Sequence, residues 1–445
     1  MEDEMKNKIV SVLLTLLFFF CAGISGAGET KILTLEESIN ITLSNNPNIL
    51  SSQQKLLSGK WKVAETSGGF YPQISASGSY SRLSEVSAFE IPAGTFGPGT
   101  PAASFSSGQP DVWTIKASAQ QYLFTWFRAL NTYKQSKANF EAAKLDCEKT
   151  KAQTVLDVTK GFYGIILANE LVKVSEEAIK NAEIHLENAQ RNFKAGVSSE
   201  FDVLKAEVQL SNLKPQLIKV RNNLKLAKNS FRNLLKIDDN TPFELQGELK
   251  YNPLEYELKE GINKAILSRV ELKQINYQKV VADLAVKIAD SGNKPNLSFS
   301  YYYQWQKGQS SDPEEWEKSW TAGANLSIPI FDGFITRARV KQAKAALEDL
   351  KIAESSFIQN IKLEVEQAYY ELKENEEIII SQEKNIQQAK KALELVEARY
   401  REGMATNAEV MDTQLVLLQT RLNMLQALYD YNIAQTKWKK AVGEL

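Results

Sequence analysis

Two periods of hydrophobic positions divide this chain. Over residues 128–194 and 335–401, apolar side chains recur every seven residues. They are Val158, Ile165, Val172, Ile179, Leu186 and Phe193 in the first stretch, and Val365, Leu372, Ile379, Ile386, Leu393 and Tyr400 in the second. Both stretches lack proline and are rich in Ala, Lys, Glu, Leu and Gln. Each predicts one continuous helix of roughly 100 Å at about 1.5 Å per residue, and a sustained heptad imposes a left-handed supercoil. Three residues after most of these large positions stands a smaller one, such as Gly161, Ala168 and Ala182, or Ala368 and Ala389. Past Gly403, Met411, Leu415, Leu418, Leu422, Leu425 and Tyr429 continue at spacings of four and three. Each long helix therefore predicts a helical hairpin that turns at Gly196 or Gly403, where a left-handed backbone costs glycine little. Pro215 lies in the first return helix, opposite Leu422 in the second, and is expected to kink or break it.

The second period is two. Ile74, Ala76, Gly78 and Tyr80 alternate with Gln73, Ser75, Ser77 and Ser79; Trp113, Ile115, Ala117 and Ala119 alternate with Thr114, Lys116, Ser118 and Gln120. Later, Leu297, Phe299, Tyr301, Tyr303 and Trp305 form one face, and Trp320, Ala322, Ala324, Leu326 and Ile328 another. These are strands of about ten residues, the length a tilted transmembrane strand needs. Aromatics gather near their loop ends, where a membrane interface favours them. The alternation also fits soluble β-hairpins capping the helices. If the strands span, four cannot close a barrel and an open edge is forbidden in lipid, so several protomers must share one barrel.

The chain repeats itself. Glu37-Ser38-Ile39-Asn40 returns as Glu260-Gly261-Ile262-Asn263, and Tyr71-Pro72-Gln73 as Lys294-Pro295-Asn296, at an offset of 223. Beyond that the offset is 207: Trp113 matches Trp320, Phe124 matches Phe331, and Gly196 matches Gly403. The extra residues of the first copy fall in Leu83 to Pro110, a Gly-, Pro- and Ser-rich stretch that reads as a loop. The expected division is repeat 1 over 28–245, with strands near 73–82 and 112–124 and a tip near 195–200. Repeat 2 covers 246–445, with strands near 296–305 and 319–331 and a tip near 402–407.

Composition narrows the function. Among 445 residues, 53 Lys and Arg balance 54 Asp and Glu, which argues against a nucleic-acid partner. One histidine, His185, and two cysteines, Cys21 and Cys147, leave little material for metal clusters, metal sites or His-dependent catalysis. No catalytic, cofactor or metal residue is expected. Glu314-Glu315 lies in a polar loop without a positioned base. His185 reads as a surface residue beside core position Leu186. The first 27 residues read as a signal peptide: Lys6 and Lys8, an apolar run from Ile9 to Cys21, then small residues up to Ala27. Met5 is an alternative start, and Cys21, preceded by bulky Phe18-Phe19-Phe20, is a poor lipidation site.

Several segments together resemble the TolC-like outer-membrane efflux proteins: Thr34-Leu35-Glu36-Glu37-Ser38-Ile39 through Asn45-Asn46-Pro47, Tyr71-Pro72-Gln73-Ile74-Ser75, the Phe193-x-x-Gly196 tip leading to Asp202-Val203-Leu204, and Pro329-Ile330-Phe331-Asp332-Gly333. The resemblance covers essentially the whole chain after residue 27. It implies a mixed, mainly α fold: a homotrimer with long antiparallel coiled-coil helices forming an α-barrel, and four transmembrane β-strands per chain in a shared 12-stranded β-barrel. The implied protein is a passive exit duct of a tripartite efflux pump or type I secretion system. It would lie in the outer membrane of a Gram-negative bacterium, in contact with lipid, with a periplasmic helical extension. The implied partners are a periplasmic adaptor and an inner-membrane pump of RND, ABC or MFS type. The family's entrance aspartates fall on Glu409 and Asp412, three apart and on one helix face. From three protomers they would make a ring of acids favouring cations, while the bland reading is a pair of solvated or capping acids after a turn. Glu200 and Asp202 have the same bland reading. Gly196, Val197, Gly403 and Met404 are the expected adaptor-docking tips. The rival reading is a periplasmic or surface coiled-coil structural protein.

Overall fold

A computed structural model describes residues 31–86, 88–106, 109–238, 242–308 and 315–445. The expected signal peptide, Cys21 and Glu314 lie outside them. In chain order the elements begin with β1 (Lys31–Leu33), α1 (Leu35–Asn45), α2 (Pro47–Ser67), β2 (Gln73–Arg82), β3 (Ala88–Ile91), β4 (Ala103–Ser106) and β5 (Asp111–Phe124). The first hairpin is α3 (Arg128–Lys194) and α4 (Glu200–Leu235). Then follow β6 (Phe243–Leu245), α5 (Leu258–Ser268), α6 (Val270–Asp290), β7 (Asn296–Lys307) and β8 (Glu317–Ser327), and the second hairpin, α7 (Ile335–Arg401) and α8 (Asn407–Ala441).

The chain forms two compact units, and each draws on both sequence repeats. One holds the described residues up to Leu50, with Thr150–Ser268 and Lys362–Leu445; the other holds Ser51–Lys149 and Arg269–Ile361. In the first, β1 pairs in parallel with β6. Leu33, Val158, Phe162, Ile165, Phe231, Leu235 and Phe243 form its core on one side. Tyr431 and Trp438 of α8 are buried elsewhere in this unit, and Gly261 of α5 has no Cβ because the Trp438 ring occupies that space. Neighbouring acids of α3 bind different helices: Glu176 pairs with Arg221 of α4 at 2.7 Å, and Glu177 with Arg421 of α8 at 2.7 Å.

The heptad stripe holds over part of its length. Val158, Ile165 and Val172 are buried, as are Val365, Leu372 and Ile379 in the second copy. Toward the tips, Ile179, Leu186, Ile386 and Leu393 are only partly covered, and the burial passes to Ala182, His185, Ala189 and Ala389. Near the tip α8 lies against this side of α3, and its Asn407 meets the His185 ring. His185 is therefore a buried residue and not a surface one. Pro215 does not break α4, which runs unbroken from Glu200 to Leu235.

In the second unit the four long strands form one antiparallel sheet in the order β2-β5-β7-β8. β5 of the first repeat pairs with β7 of the second, from Trp113 opposite Lys307 to Phe124 opposite Leu297, with one irregularity between Tyr122 and Phe124. β8 ends at Ser327, short of residue 331. Pro329, which lacks a backbone N–H, follows closely. The Gly- and Pro-rich stretch between β2 and β5 is not all loop: β3 and β4 pair within it as a short hairpin.

Candidate functional site

The sheet has two chemically different faces. Ile74, Tyr80, Trp113, Ile115, Phe299, Tyr301, Trp320 and Leu326 share one face and are exposed, Ile74 to 80%. The other carries Ser75, Ser77, Thr114, Ser118, Gln304, Ser319 and Thr321; Ser75 and Ser118 share a hydrogen bond of 2.9 Å across β2 and β5. In water such an apolar face would be a large aggregation-prone patch; against lipid it is the face a spanning barrel needs. Among the described residues no helix is long and apolar enough to cross a membrane.

More exposed aromatics cluster where the sheet meets the long helices: Phe70, Tyr71, Trp126, Phe127, Phe331 and Phe334. Phe331 and Phe334 meet edge to face, their ring centres 5.3 Å apart. The amphipathic rings among them, Tyr71 and Trp126, suit the headgroup level of a bilayer.

Both hairpin tips have the same construction. Gly196 (φ +75°) and Gly403 (φ +72°) end α3 and α7 in the left-handed region. Val197 N–H donates to the Asn192 carbonyl at 3.0 Å, and Met404 N–H to that of Arg399 at 2.8 Å. The preceding bonds, Gly196 to Phe193 and Gly403 to Tyr400, complete a Schellman motif in each. Val197 and Met404 are left 74% and 63% exposed at the apices. Each return helix then opens with a capping box, Ser199 with Asp202 and Thr406 with Glu409.

Glu409 is therefore a capping residue. Its Oε2 accepts from Thr406 N–H at 2.7 Å and from Thr406 Oγ1 at 3.0 Å. The Thr406 backbone bond, then its hydroxyl, hold the Glu409 carboxyl below its ordinary value of 4.5. Asp412 follows one turn later and is exposed. Asp202 has the matching role in the first hairpin: its Oδ2 accepts from the Ser199 hydroxyl at 2.7 Å.

A residue that spacing did not single out ties the two hairpins together. Asn407, the first residue of α8, is buried; its Oδ1 meets His185 Nε2 of α3, and its Nδ2 donates to the Asp202 carbonyl of α4 at 3.0 Å. The imidazole thus bonds across 222 residues of sequence. The one available signal was the presence of a lone histidine on the helix.

The family model described as outer membrane efflux protein matches residues 38–235 and 261–444. The outer membrane protein TolC of Vibrio cholerae is 24% identical over 312 residues, covering 66% of this chain and 69% of that protein. TolC of Escherichia coli is 23% identical, over 67% of this chain and 63% of its own length. The outer membrane efflux protein BepC of Brucella suis is 20% identical over 95% of this chain and 89% of its own. Among solved structures, CusC superposes with a TM-score of 0.77 at 18% identity, covering 95% of both chains. The CmeC outer membrane channel of Campylobacter jejuni superposes at 0.78 and 17%, covering 92% of this chain and 85% of that one. The chain belongs to the outer membrane efflux protein family. It is a mainly helical exit duct of the outer membrane of Gram-negative bacteria, in the class that serves efflux and secretion systems.

Proposed function

We propose that three copies of this chain close one 12-stranded barrel and one 12-helix periplasmic tunnel, after an export signal at residues 1–27 is removed. One observation carries this reading: each protomer presents a four-stranded sheet with a continuous exposed apolar face and two unpaired edges, β2 and β8. Such a sheet is not viable in lipid until its edges are closed. Each of the two repeats, 28–245 and 246–445, supplies two strands and one helical hairpin. The test is purification from outer membranes as a heat-modifiable trimer that conducts in planar bilayers. A monomer without conductance would refute the proposal and favour a structural coiled-coil protein.

At the periplasmic end, Glu409 and Asp412 narrow the entrance. The pinned Glu409 carboxylate supports this reading, since a capped acid holds a fixed position and keeps its charge. Replacing both by alanine enlarges single-channel conductance and changes block by multivalent cations. The tips at Gly196, Val197, Gly403 and Met404 dock a periplasmic adaptor, which couples the duct to an inner-membrane pump of RND, ABC or MFS type. Charged substitutions at Val197 and Met404 abolish export and leave the trimer intact.

A further inference from the structure

The polar face of the sheet is almost free of charge. Strand register sets Ser77, Lys116, Gln304 and Ser319 in one row, and Ser75, Ser118, Tyr302 and Thr321 in the next. Following the same alternation along all four strands, the charged side chains on this face are Lys116 and Glu317. Glu317 is the first residue of β8, at the end that faces the loops. Lys116 stands five residues into β5 from Asp111 and eight before Phe124. At about 3.4 Å per residue it lies roughly 17 Å from the loop end of its strand, well inside the spanning length.

A lysine at this depth on the lipid face would cost about 2–4 kcal/mol, whereas lumen positions tolerate charge and tune selectivity. The side chain is also held in place. Its Nζ sits 4.0 Å from the centre of the Tyr302 ring on the neighbouring strand, a cation–π contact that fixes the ammonium without neutralising it. Among the described residues, Lys116 forms no ion pair with a carboxylate. The result is a fixed positive charge on a wall otherwise made largely of hydroxyls and amides.

We propose that Lys116 is the anion-selecting residue of the barrel lumen: together with its copies in the other protomers, it forms a cationic ring that attracts the carboxylate and phosphate groups of passing solutes. This rests on the reading that the sheet belongs to a closed, water-filled barrel. A ring of cationic side chains favours anions by the same electrostatics that makes acidic rings favour cations. Tyr302 positions the ammonium; the row of Ser75, Ser118 and Thr321 on one side is neutral, and the row on the loop side, Ser79, Thr114 and Gln306, ends in Glu317 two strands away.

The test uses the purified full-length channel in planar bilayers, with inorganic pyrophosphate added on the side of the 83–110 loop. Pyrophosphate blocks the wild-type current. Lys116→Gln raises the half-blocking concentration about tenfold or more, because the ring of fixed positive charge that attracts the anion is lost. Lys116→Glu abolishes block and moves the zero-current potential in a KCl gradient toward cation preference, while Lys116→Arg retains both wild-type properties. Identical block and zero-current potential in the wild type and Lys116→Gln overturn the inference and leave the duct reading standing. A wild-type channel indifferent to pyrophosphate also overturns it. A wild-type preparation without conductance overturns the duct reading and this inference together.

Discussion

Trp126 and Gly333 hold the same left-handed turn, one repeat apart. Their φ angles are +50° and +63°, and each is followed by a second left-handed residue, Phe127 at +61° or Phe334 at +65°. The residue before each turn position caps the helix beyond it. Thr125 Oγ1 accepts from Ala129 N–H at 3.2 Å, and Asp332 Oδ2 from Thr336 N–H at 2.8 Å. Left-handed backbone costs a bulky residue about 1–2 kcal/mol, and glycine avoids that cost. Gly333→Trp should therefore lower stability by about that amount in denaturant titrations of the detergent-solubilised protein. Trp126→Gly should change it by less than about 1 kcal/mol, because relief of strain is offset by loss of the edge-to-face contact with Phe124.

Gly161 is required by a close approach. A Cβ there would lie 2.7 Å from Phe231 Cδ2, and Phe231 is a core residue. Gly161→Ala should cost about 1–3 kcal/mol, the usual range for overpacking. Gly78→Ala, where a Cβ meets open space, is the control and should leave the unfolding midpoint nearly unchanged.

Asn407→Ala should leave the His185 imidazole and the Asp202 carbonyl without this partner and destabilise the lower hairpins by about 1–3 kcal/mol. Amide hydrogen exchange should rise at the start of α8 and at both tips. Unchanged protection there would show that the node adds nothing to tip order.

Thr406→Ala removes the cap of α8 and should cost about 1 kcal/mol. The pH dependence has a definite sign. The folded-state value of Glu409 is lowered from 4.5, so its contribution is present above 4.5 and lost only as pH falls through the lower, folded value. Carbon-13 NMR of Glu409 should show titration below 4.5 in the wild type. In Thr406→Ala it should return toward the ordinary glutamate range.

Glu376 accepts two phenols, Tyr251 at 2.6 Å and Tyr256 at 2.9 Å. That hydrogen bond foremost, then burial and the Glu376 charge, push Tyr251 up to about 12. Burial first, then the same carboxylate, raises Tyr256. A raised tyrosine contributes stability that is complete below 10 and lost as pH climbs toward 12. Glu376→Gln should bring tyrosinate absorbance on at lower pH, and equal titration curves for wild type and variant would contradict the assignment.

Periodicity makes much of this architecture legible in the sequence. The period of two marked both faces of all four strands, and the period of seven marked both hairpins, because each follows from backbone geometry alone. What periodicity missed depends on non-local effects. His185 is buried beside half-covered Leu186 because Asn407 of α8 packs against it, and no heptad reveals that partner. Pro215 was tolerated within a long helix whose remaining hydrogen bonds and packing continue past it. Of the two readings open for Glu409 the capping one is formed, with Thr406 three residues before it as the partner. Asn407 gave no pattern, since its partners lie about 200 residues away.

The order of the strands has a genetic consequence. β2 and β8 form the sheet's two edges, and in the proposed trimer each hydrogen-bonds to a strand from another copy. A chain with one ruined edge still offers its sound edge to a neighbour, so it enters assemblies and leaves them unsealed. With three copies drawn at random from equal pools, only about one assembly in eight would be free of the faulty chain, the arithmetic of a closed symmetric ring. Proline in the middle of β2 or β8 should thus be dominant over the wild-type gene, whereas a substitution that prevents the chain from folding at all should be recessive.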